Sequence, residues 1–379
     1  MSKIIFLGGE DVSARIEISK KFIALGYEIE IIGTEKEDKF IKNNIPYKKY
    51  SLNRELNVFE DVKTVFELRR MLKDENATTI VHAFDTKPTM FLPIAAIGLR
   101  HIKVVRTITG MGRIFTVKSF KNNVLATIYN LIQKTISKRV DFTVFQNDDD
   151  SKYFLENKLI DKDKSSVIKS SGIDLKKYAI DVDTKQIDAL KKELSIDYKK
   201  PTFVLVSRMV KQKGITDYLE AAKLCKKSGH NYNFLLVGQI DSNKDSITKE
   251  EILRYNKYVN YLGRREDVKE LLFLSDIFVL PTYYREGVPR VLLEASAMGL
   301  ALLATDMPGC KDVVRDDYNG KLVKTQDSND LVDKMIYIAS DNERLKKFGE
   351  NSKEFIKLFD LDIIVDRYHQ IYKKLHKEL

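Results

Sequence analysis

An α/β protein with two doubly wound, parallel-sheet domains is predicted by three observations. Short apolar runs alternate with amphipathic stretches along the whole chain, the pattern of parallel strands joined by right-handed helical crossovers. A length of 379 residues with 43% hydrophobic content suffices for two cores. Polar clusters rich in Gly, Lys, Arg and Glu follow strand-like runs, as ligand loops do in open α/β sheets.

In chain order, the apolar run Lys3-Ile-Ile-Phe-Leu7 opens a strand at about 3–8 and ends in Gly8-Gly9. Further strands are expected near 29–33, 79–83, 103–107, 141–145 and 165–169, with helices near 12–25, 58–74, 89–99, 122–138 and 148–158. The last of these helices has Asn147 as its cap and Asp148-Asp-Asp150 in its first turn, complementing the macrodipole, so this acidic triplet reads as a helix start rather than a metal site. Lys176 to Lys200, rich in Lys and Asp, reads as a linker with one helix through Ile187 to Leu194. Beyond it, strands are expected near 202–207, 233–237, 259–262, 276–280 and 301–304, with an amphipathic helix from Ile215 to Lys227. The domains are accordingly drawn as 1–185 and 195–357.

Composition narrows the function classes. Two cysteines, Cys225 and Cys310, lie far apart in sequence with no partners at metal-ligand spacing, so neither a disulfide framework nor a zinc site is expected. No stretch is apolar for long enough to cross a bilayer, and no basic segment followed by a long apolar one stands at the N-terminus. The net charge of +10 is concentrated: from Thr86 to Val140 there are ten Lys and Arg and no Asp or Glu. Ile114, Phe115, Val117, Phe120, Val124, Leu125, Ile128 and Ile132 interleave with those cations, as expected of a surface meeting anionic lipid headgroups. The same spacing also suits an ordinary core-facing helix. No nucleic-acid-binding fingerprint accompanies the basic stretch, so nucleic acid is not an expected partner.

The densest chemistry sits at two strand-to-helix junctions. Asp276-Ile-Phe-Val-Leu-Pro281 is followed by Glu286, Gly287, Val288 and Pro289, and a helix is expected to start near Pro289, whose missing N–H suits a first helical position. Its first-turn amides and the permissive Gly287 suit a phosphate or polar sugar. Glu294 lies a turn inside that helix, among Val291, Leu292, Leu293, Ala295 and Ala297, where an idle carboxylate would be costly. Upstream, the strand at Thr202-Phe-Val-Leu-Val-Ser207 runs into Arg208-Met-Val-Lys-Gln-Lys-Gly214, so Arg208 and Lys213 can converge on one anion. Glu286 has a structural alternative as a helix cap, and Arg208 and Lys213 as plain surface cations.

These segments together resemble the GT-B glycosyltransferases, specifically the retaining family 4 with its E-x7-E motif. The matching residues are Glu286 to Glu294, the Arg208/Lys213 segment, Val237-Gly238 and Tyr261-Leu-Gly-Arg264, in the family's order and over nearly the whole chain. Val81-His-Ala-Phe-Asp-Thr-Lys-Pro88 and Thr107-Ile-Thr-Gly-Met-Gly112 further resemble the bacterial subgroup that extends polyprenyl-diphosphate-linked saccharides, including the PglA-type N-acetylgalactosaminyltransferases. The resemblance implies two Rossmann-like domains facing across a cleft, with a last helix at about 358–379 crossing back to the first. It implies a UDP-sugar donor, no metal or other cofactor, and a peripheral place on the cytoplasmic face of the inner membrane.

The resemblance also assigns roles. Glu294 holds the ribose hydroxyls, Glu286 the hydroxyls of the transferred sugar, and Arg208 with Lys213 the leaving diphosphate. Gly238 and Arg264 belong to the donor side, as do Gly8 and Gly9 near the donor phosphates, although a tight turn explains two glycines almost as well. His82 contacts the donor sugar's 6-hydroxyl; a lone histidine there is also often a hydrogen-bonded structural group. Lys87, Arg106, Gly110, Gly112, Arg113 and Lys118 form the acceptor and lipid side. Two rivals stay open, a UDP-sugar epimerase of the same fold and a non-catalytic membrane-surface or polyanion-binding protein; a NAD-dependent Rossmann enzyme is disfavoured, because no long glycine fingerprint is followed by an acidic ribose reader.

Overall fold

The computed structural model describes residues 2–53, 57–112, 115, 120–179, 184–197, 199–240, 245–285 and 287–377, without the side chains of Lys121, Thr184 and Gln186. Of the candidate site residues, Glu286, Arg113 and Lys118 lie outside the described residues. The chain divides into two units, Met1–Gly172 with Leu361–Leu379, and Ile173–Asp360.

The first unit is a seven-stranded sheet, in which every pairing is parallel: β1 (Lys3–Leu7), β2 (Glu28–Gly33), β3 (Tyr47–Lys49), β4 (Thr79–Ala83), β5 (Ile102–Ile108), β6 (Phe142–Phe145) and β7 (Ser165–Val167), in the order β3-β2-β1-β4-β5-β6-β7. Strand residues alternate between two faces, so Ile4 and Phe6 enter one core with Phe22 and Phe40, while Ile5 and Leu7 enter another with Leu68 and Leu92. The helix Leu361–Lys377 completes the first core. Its Leu361, Ile364, Val365, Tyr368, Ile371, Tyr372 and Leu375 form one buried stripe at helical spacing.

The second unit repeats the architecture with β8 (Thr202–Val206), β9 (Asn233–Val237), β10 (Asn260–Gly263), β11 (Ile277–Leu280), β12 (Ala301–Thr305) and β13 (Gly320–Val323), ordered β10-β9-β8-β11-β12-β13 and again parallel. In each sheet the chain runs outward from a central strand and then returns beside it. The order therefore reverses between β1 and β4 in one unit, and between β8 and β11 in the other.

Several sequence expectations need correction. The linker does not stand apart: the helix Thr184–Glu193 buries Leu190 in the second unit's core, joined there by Leu194 and Ile196. β3 and β13 were not anticipated, because one is three residues with two exposed lysines and the other opens on Gly-Lys. The helix expected at 89–99 spans Thr86–Ala95. It begins earlier because Pro88 falls in its first turn, where a missing N–H leaves no intrahelical bond unmade. Asn147 caps the helix Asp148–Glu156 as expected, its Oδ1 accepting from the Asp150 amide at 2.7 Å.

Candidate active site

At the β8/β11 reversal, two loops leave the carboxyl ends of adjacent strands, the position at which open α/β sheets hold their ligands. The loops are stitched together. Tyr283 donates its amide, and Thr282 its hydroxyl, to the Gln212 carbonyl, each at 3.0 Å, and the Thr305 hydroxyl donates to the Thr282 carbonyl. Gly214 stands at φ 73°, where a Cβ would fall 2.0 Å from the Pro281 carbonyl oxygen. Only glycine lets the two loops approach this closely. Lys213, half-buried and next to Gly214, is thereby held against the loop that carries Gly287 and Pro289.

Gly238, after β9, performs the same task on the other side. At φ 147° its Cβ would lie 1.7 Å from the Ser207 carbonyl oxygen, so the β9 loop presses on the residue preceding Arg208, whose side chain is exposed. The structure thus brings Arg208, Lys213, Gly214 and Gly238 to neighbouring loops. Arg264 adjoins them, since the Gly238 amide donates to the Gly263 carbonyl at 2.8 Å, but its side chain is 70% exposed and paired with Glu266 at 2.9 Å.

The helix after β11 is Arg290–Met298, and Pro289, at φ −66° and ψ 123°, is its N-cap rather than the first helical residue expected. Among the described residues no side-chain cap is seen at this end; the Leu292 and Leu293 amides bond back to the Pro289 carbonyl. Gly287 and Pro289 are buried and Val288 packs partly into the core, so this loop is fixed by packing. Glu294 is 18% exposed, and the Arg290 Nε donates to its Oε1 at 3.0 Å. Tyr178 lies against the pair: burial first, and the Glu294 charge second, push its phenol well above the ordinary range. The result is a half-buried carboxylate oriented by a guanidinium and a phenol, suited to accept hydroxyl donors. Sequence reasoning missed both orienting groups. Arg290 was legible as the i−4 neighbour of Glu294; Tyr178, in a polar segment far upstream, carried no signal.

In the first unit, the β1/β4 reversal holds a cavity of about 210 Å³ lined in part by Gly9, Thr34, Asn53, Asp85 and Lys87. Gly8 is packed against Val12 and gives its amide to the Ile32 carbonyl, while the Gly9 amide donates to Asp85 Oδ2 at 2.9 Å. Both glycine amides are thus engaged within the fold, which supports the tight-turn reading. Asp85, unassigned from sequence, sits at φ 67° immediately before the helix Thr86–Ala95 and orders this turn. Lys87 reaches the cavity but pairs with Asp61 at 2.6 Å. Gly110 and Gly112, at φ 145° and 69°, shape the loop beyond β5.

Two expectations for this unit are overturned by burial. His82 is fully buried on β4, with Tyr372 Oη 2.5 Å from its Nδ1 and Thr107 Oγ1 2.7 Å from its Nε2. Both ring nitrogens are occupied inside the core, so His82 is a structural histidine rather than a sugar contact. Arg106 is likewise fully buried, donating to Thr143, Gln133 and Ser137 from Nε, Nη1 and Nη2. It is unavailable to an acceptor diphosphate. Burial holds the His82 imidazole well below its ordinary value, with Arg15 adding to the effect. Below about pH 6.5 the unfolded chain therefore takes up a proton that the native state refuses, and stability falls with acidification. The urea midpoint should drop between about pH 7 and pH 5, and the drop should shrink in His82→Gln.

Among the described residues no group of three or more His, Cys, Asp or Glu is placed to hold a metal ion, and no helix is long and apolar enough to cross a membrane. Residues 186–355 match the family described as glycosyl transferases group 1. The chain is 32% identical over 325 residues, 86% of its length and 84% of the relative's, to N,N'-diacetylbacillosaminyl-diphospho-undecaprenol alpha-1,3-N-acetylgalactosaminyltransferase of Campylobacter jejuni. It is 26% identical over 85% of its length, and 82% of the relative's, to UDP-Gal:alpha-D-GlcNAc-diphosphoundecaprenol alpha-1,3-galactosyltransferase of Escherichia coli. In fold it is similar to a glycosyltransferase from Rickettsia africae, with TM-score 0.80, 22% identity and coverage of 100% and 99% of the two chains. It is also similar to HepE of Anabaena in complex with UDP, with TM-score 0.78, 16% identity and coverage of 98% and 100%. Two parallel-sheet units, and a relative of this identity spanning most of both chains, make the chain a member of the glycosyl transferases group 1 family with the GT-B fold.

Proposed function

We propose that the enzyme transfers N-acetylgalactosamine, or another N-acetylhexosamine, from a UDP-sugar to a polyprenyl-diphosphate-linked saccharide, with retention of anomeric configuration. The observation that carries this reading is the similarity over 86% of the chain to a relative named for N-acetylgalactosamine transfer to a diphospho-undecaprenol-linked sugar. A solved structure of the same fold with UDP bound supports the donor.

In this reading the diphosphate lies on Arg208, Lys213 and the first-turn amides of Arg290–Met298, and the ribose hydroxyls lie on Glu294. Glu286, outside the described residues, takes the transferred sugar's hydroxyls. The bond from the sugar's anomeric carbon to the β-phosphate oxygen breaks as the acceptor oxygen bonds to that carbon from the same face. The acceptor's proton passes to the departing phosphate oxygen, and UDP leaves. Two fixed cations and a helix terminus neutralise the charge that accumulates on the diphosphate, so no metal ion is required. The working place is the cytoplasmic face of the inner membrane, with the basic Thr86 to Val140 stretch toward anionic lipid.

Glu294→Gln, which keeps the shape but removes the charge, should weaken donor binding about tenfold or more, in line with the ~1.5–3 kcal/mol of hydrogen bonds to a charged group. Titration calorimetry with UDP measures it, and unaltered affinity would remove Glu294 from the donor site. The function itself is tested by incubating the protein with several UDP-sugars and a polyprenyl-diphosphate-linked saccharide. Acceptor-dependent UDP release supports transfer. Conversion of the sugar without acceptor would instead indicate an epimerase.

A further inference from the structure

At the end of the first unit's sheet opposite its reversal-point loops, the amino ends of β6 and β7 border a cavity of about 220 Å³. Lys134, Lys138, Lys158 and Lys164 line it, against one acid, Asp161. None of the four lysine side chains makes an ion pair among the described residues. Four like charges round one small cavity repel each other unless an anion sits between them.

The wall of the cavity is also built for an anion. Ser137 and Thr143 line it, and both accept hydrogen bonds from the buried Arg106, at 3.0 and 3.1 Å. Among the described residues the hydrogen-bond partners of the Arg106 side chain are all neutral, the third being Gln133, so there the buried cation meets no carboxylate. That burial lowers the guanidinium's pKa to about 10, as expected of a buried charge with no opposite charge beside it. Thr143 is buried and uses its oxygen to accept from Arg106, and no hydrogen bond donated by its hydroxyl is seen among the described residues.

An apolar surface adjoins the cavity. On the helix Phe120–Ile136, Phe120, Val124, Ile128 and Leu131 follow one another at helical spacing and are 86%, 45%, 49% and 67% exposed. Leu131 and Ile132 also border a groove of about 380 Å³ shared with Ile94 and Ile97. Leu131, Lys134 and Lys138 stand at i, i+3 and i+7, so apolar ridge and cationic cavity run on continuously.

We propose that this cavity binds the phosphodiester of an anionic membrane lipid, whose hydrocarbon region meets the ridge led by Leu131. The choice of lipid over free phosphate rests on the membrane-surface reading above; it is independent of the transfer reaction. The site lies at the end of the first unit's sheet opposite that unit's reversal-point loops and anchors this unit.

The test is co-sedimentation with phosphatidylcholine vesicles containing phosphatidylglycerol, without donor or acceptor. The quadruple variant K134Q/K138Q/K158Q/K164Q should bind about 600-fold more weakly, at roughly fivefold per lysine. A control variant with the same charge change elsewhere, K192Q/K227Q/K324Q/K347Q, should lose less than about fivefold. Thr143→Val, which leaves the surface charge intact, should weaken binding several-fold, and Ile128→Ser with Leu131→Ser about tenfold or more. Equal losses in the two quadruple variants, or an unchanged Thr143→Val, overturn the assignment. Loss of inorganic phosphate binding in the pocket variant with vesicle binding intact makes free phosphate the ligand and overturns the lipid. Donor affinity of the pocket variant should equal wild type, so failure here is separable from failure of the proposed reaction.

Discussion

Lys213→Ala should lower the turnover number of sugar transfer by about 10² to 10³-fold while leaving the donor's KM nearly unchanged. The size follows from removing one preorganised charge where negative charge develops, typically worth ~3–4 kcal/mol of transition-state stabilisation. The separation of kcat from KM follows because the diphosphate is already anionic in the ground state and Arg208 remains to bind it; Lys213 matters most as the bond to the sugar breaks. Folding should be unaffected, since Lys213 is a half-buried loop residue, not a core one. Steady-state kinetics with varied donor decide it. An unchanged turnover number would remove Lys213 from the reaction.

Gly214→Ala should cost about 2–4 kcal/mol of stability in the second unit and abolish most activity, a combined effect larger than a loop substitution ordinarily has. The new methyl group meets the Pro281 carbonyl oxygen at 2.0 Å on a backbone already at φ 73°, so the residue must move. The movement breaks the contacts of Gln212 with Thr282 and Tyr283 and displaces Lys213 from its place beside the loop that follows β11. Urea unfolding and donor titration on the same preparation would separate the two losses. Wild-type stability together with wild-type activity would mean that the loops are not held as argued.

How much of this was legible in sequence depended on whether a signal was local. The central strands were visible because they are buried on both faces and read as unbroken apolar runs, as in Phe203 to Val206 and Ile277 to Leu280. Edge strands β3 and β13 gave no such run. The Arg208/Lys213 and Glu294 junctions were visible because a strand, a polar loop and a helix follow within some twenty residues. That their loops are adjacent required knowing that β11 pairs with β8, which the order of segments alone does not state.

His82 and Arg106 were misread for one reason. Both lie on strands whose carboxyl ends suit ligands, yet side-chain direction and cover decide access. His82 is closed off by Tyr372, 290 positions away on the final helix, and Arg106 by Gln133 and Ser137 on the following helix and turn. Tyr178 was missed for the converse reason: it comes to Glu294 from a segment whose composition resembles a linker.

The central claim is that Arg208, Lys213 and Glu294, drawn from two neighbouring strand-to-helix junctions, hold one UDP moiety. A crystal structure with UDP bound tests it directly. Diphosphate oxygens are expected within hydrogen-bonding distance of Arg208 and Lys213, and ribose hydroxyls on the Glu294 carboxylate. UDP seated in the first unit's β1/β4 crevice, or bound with these three side chains turned away, would contradict it.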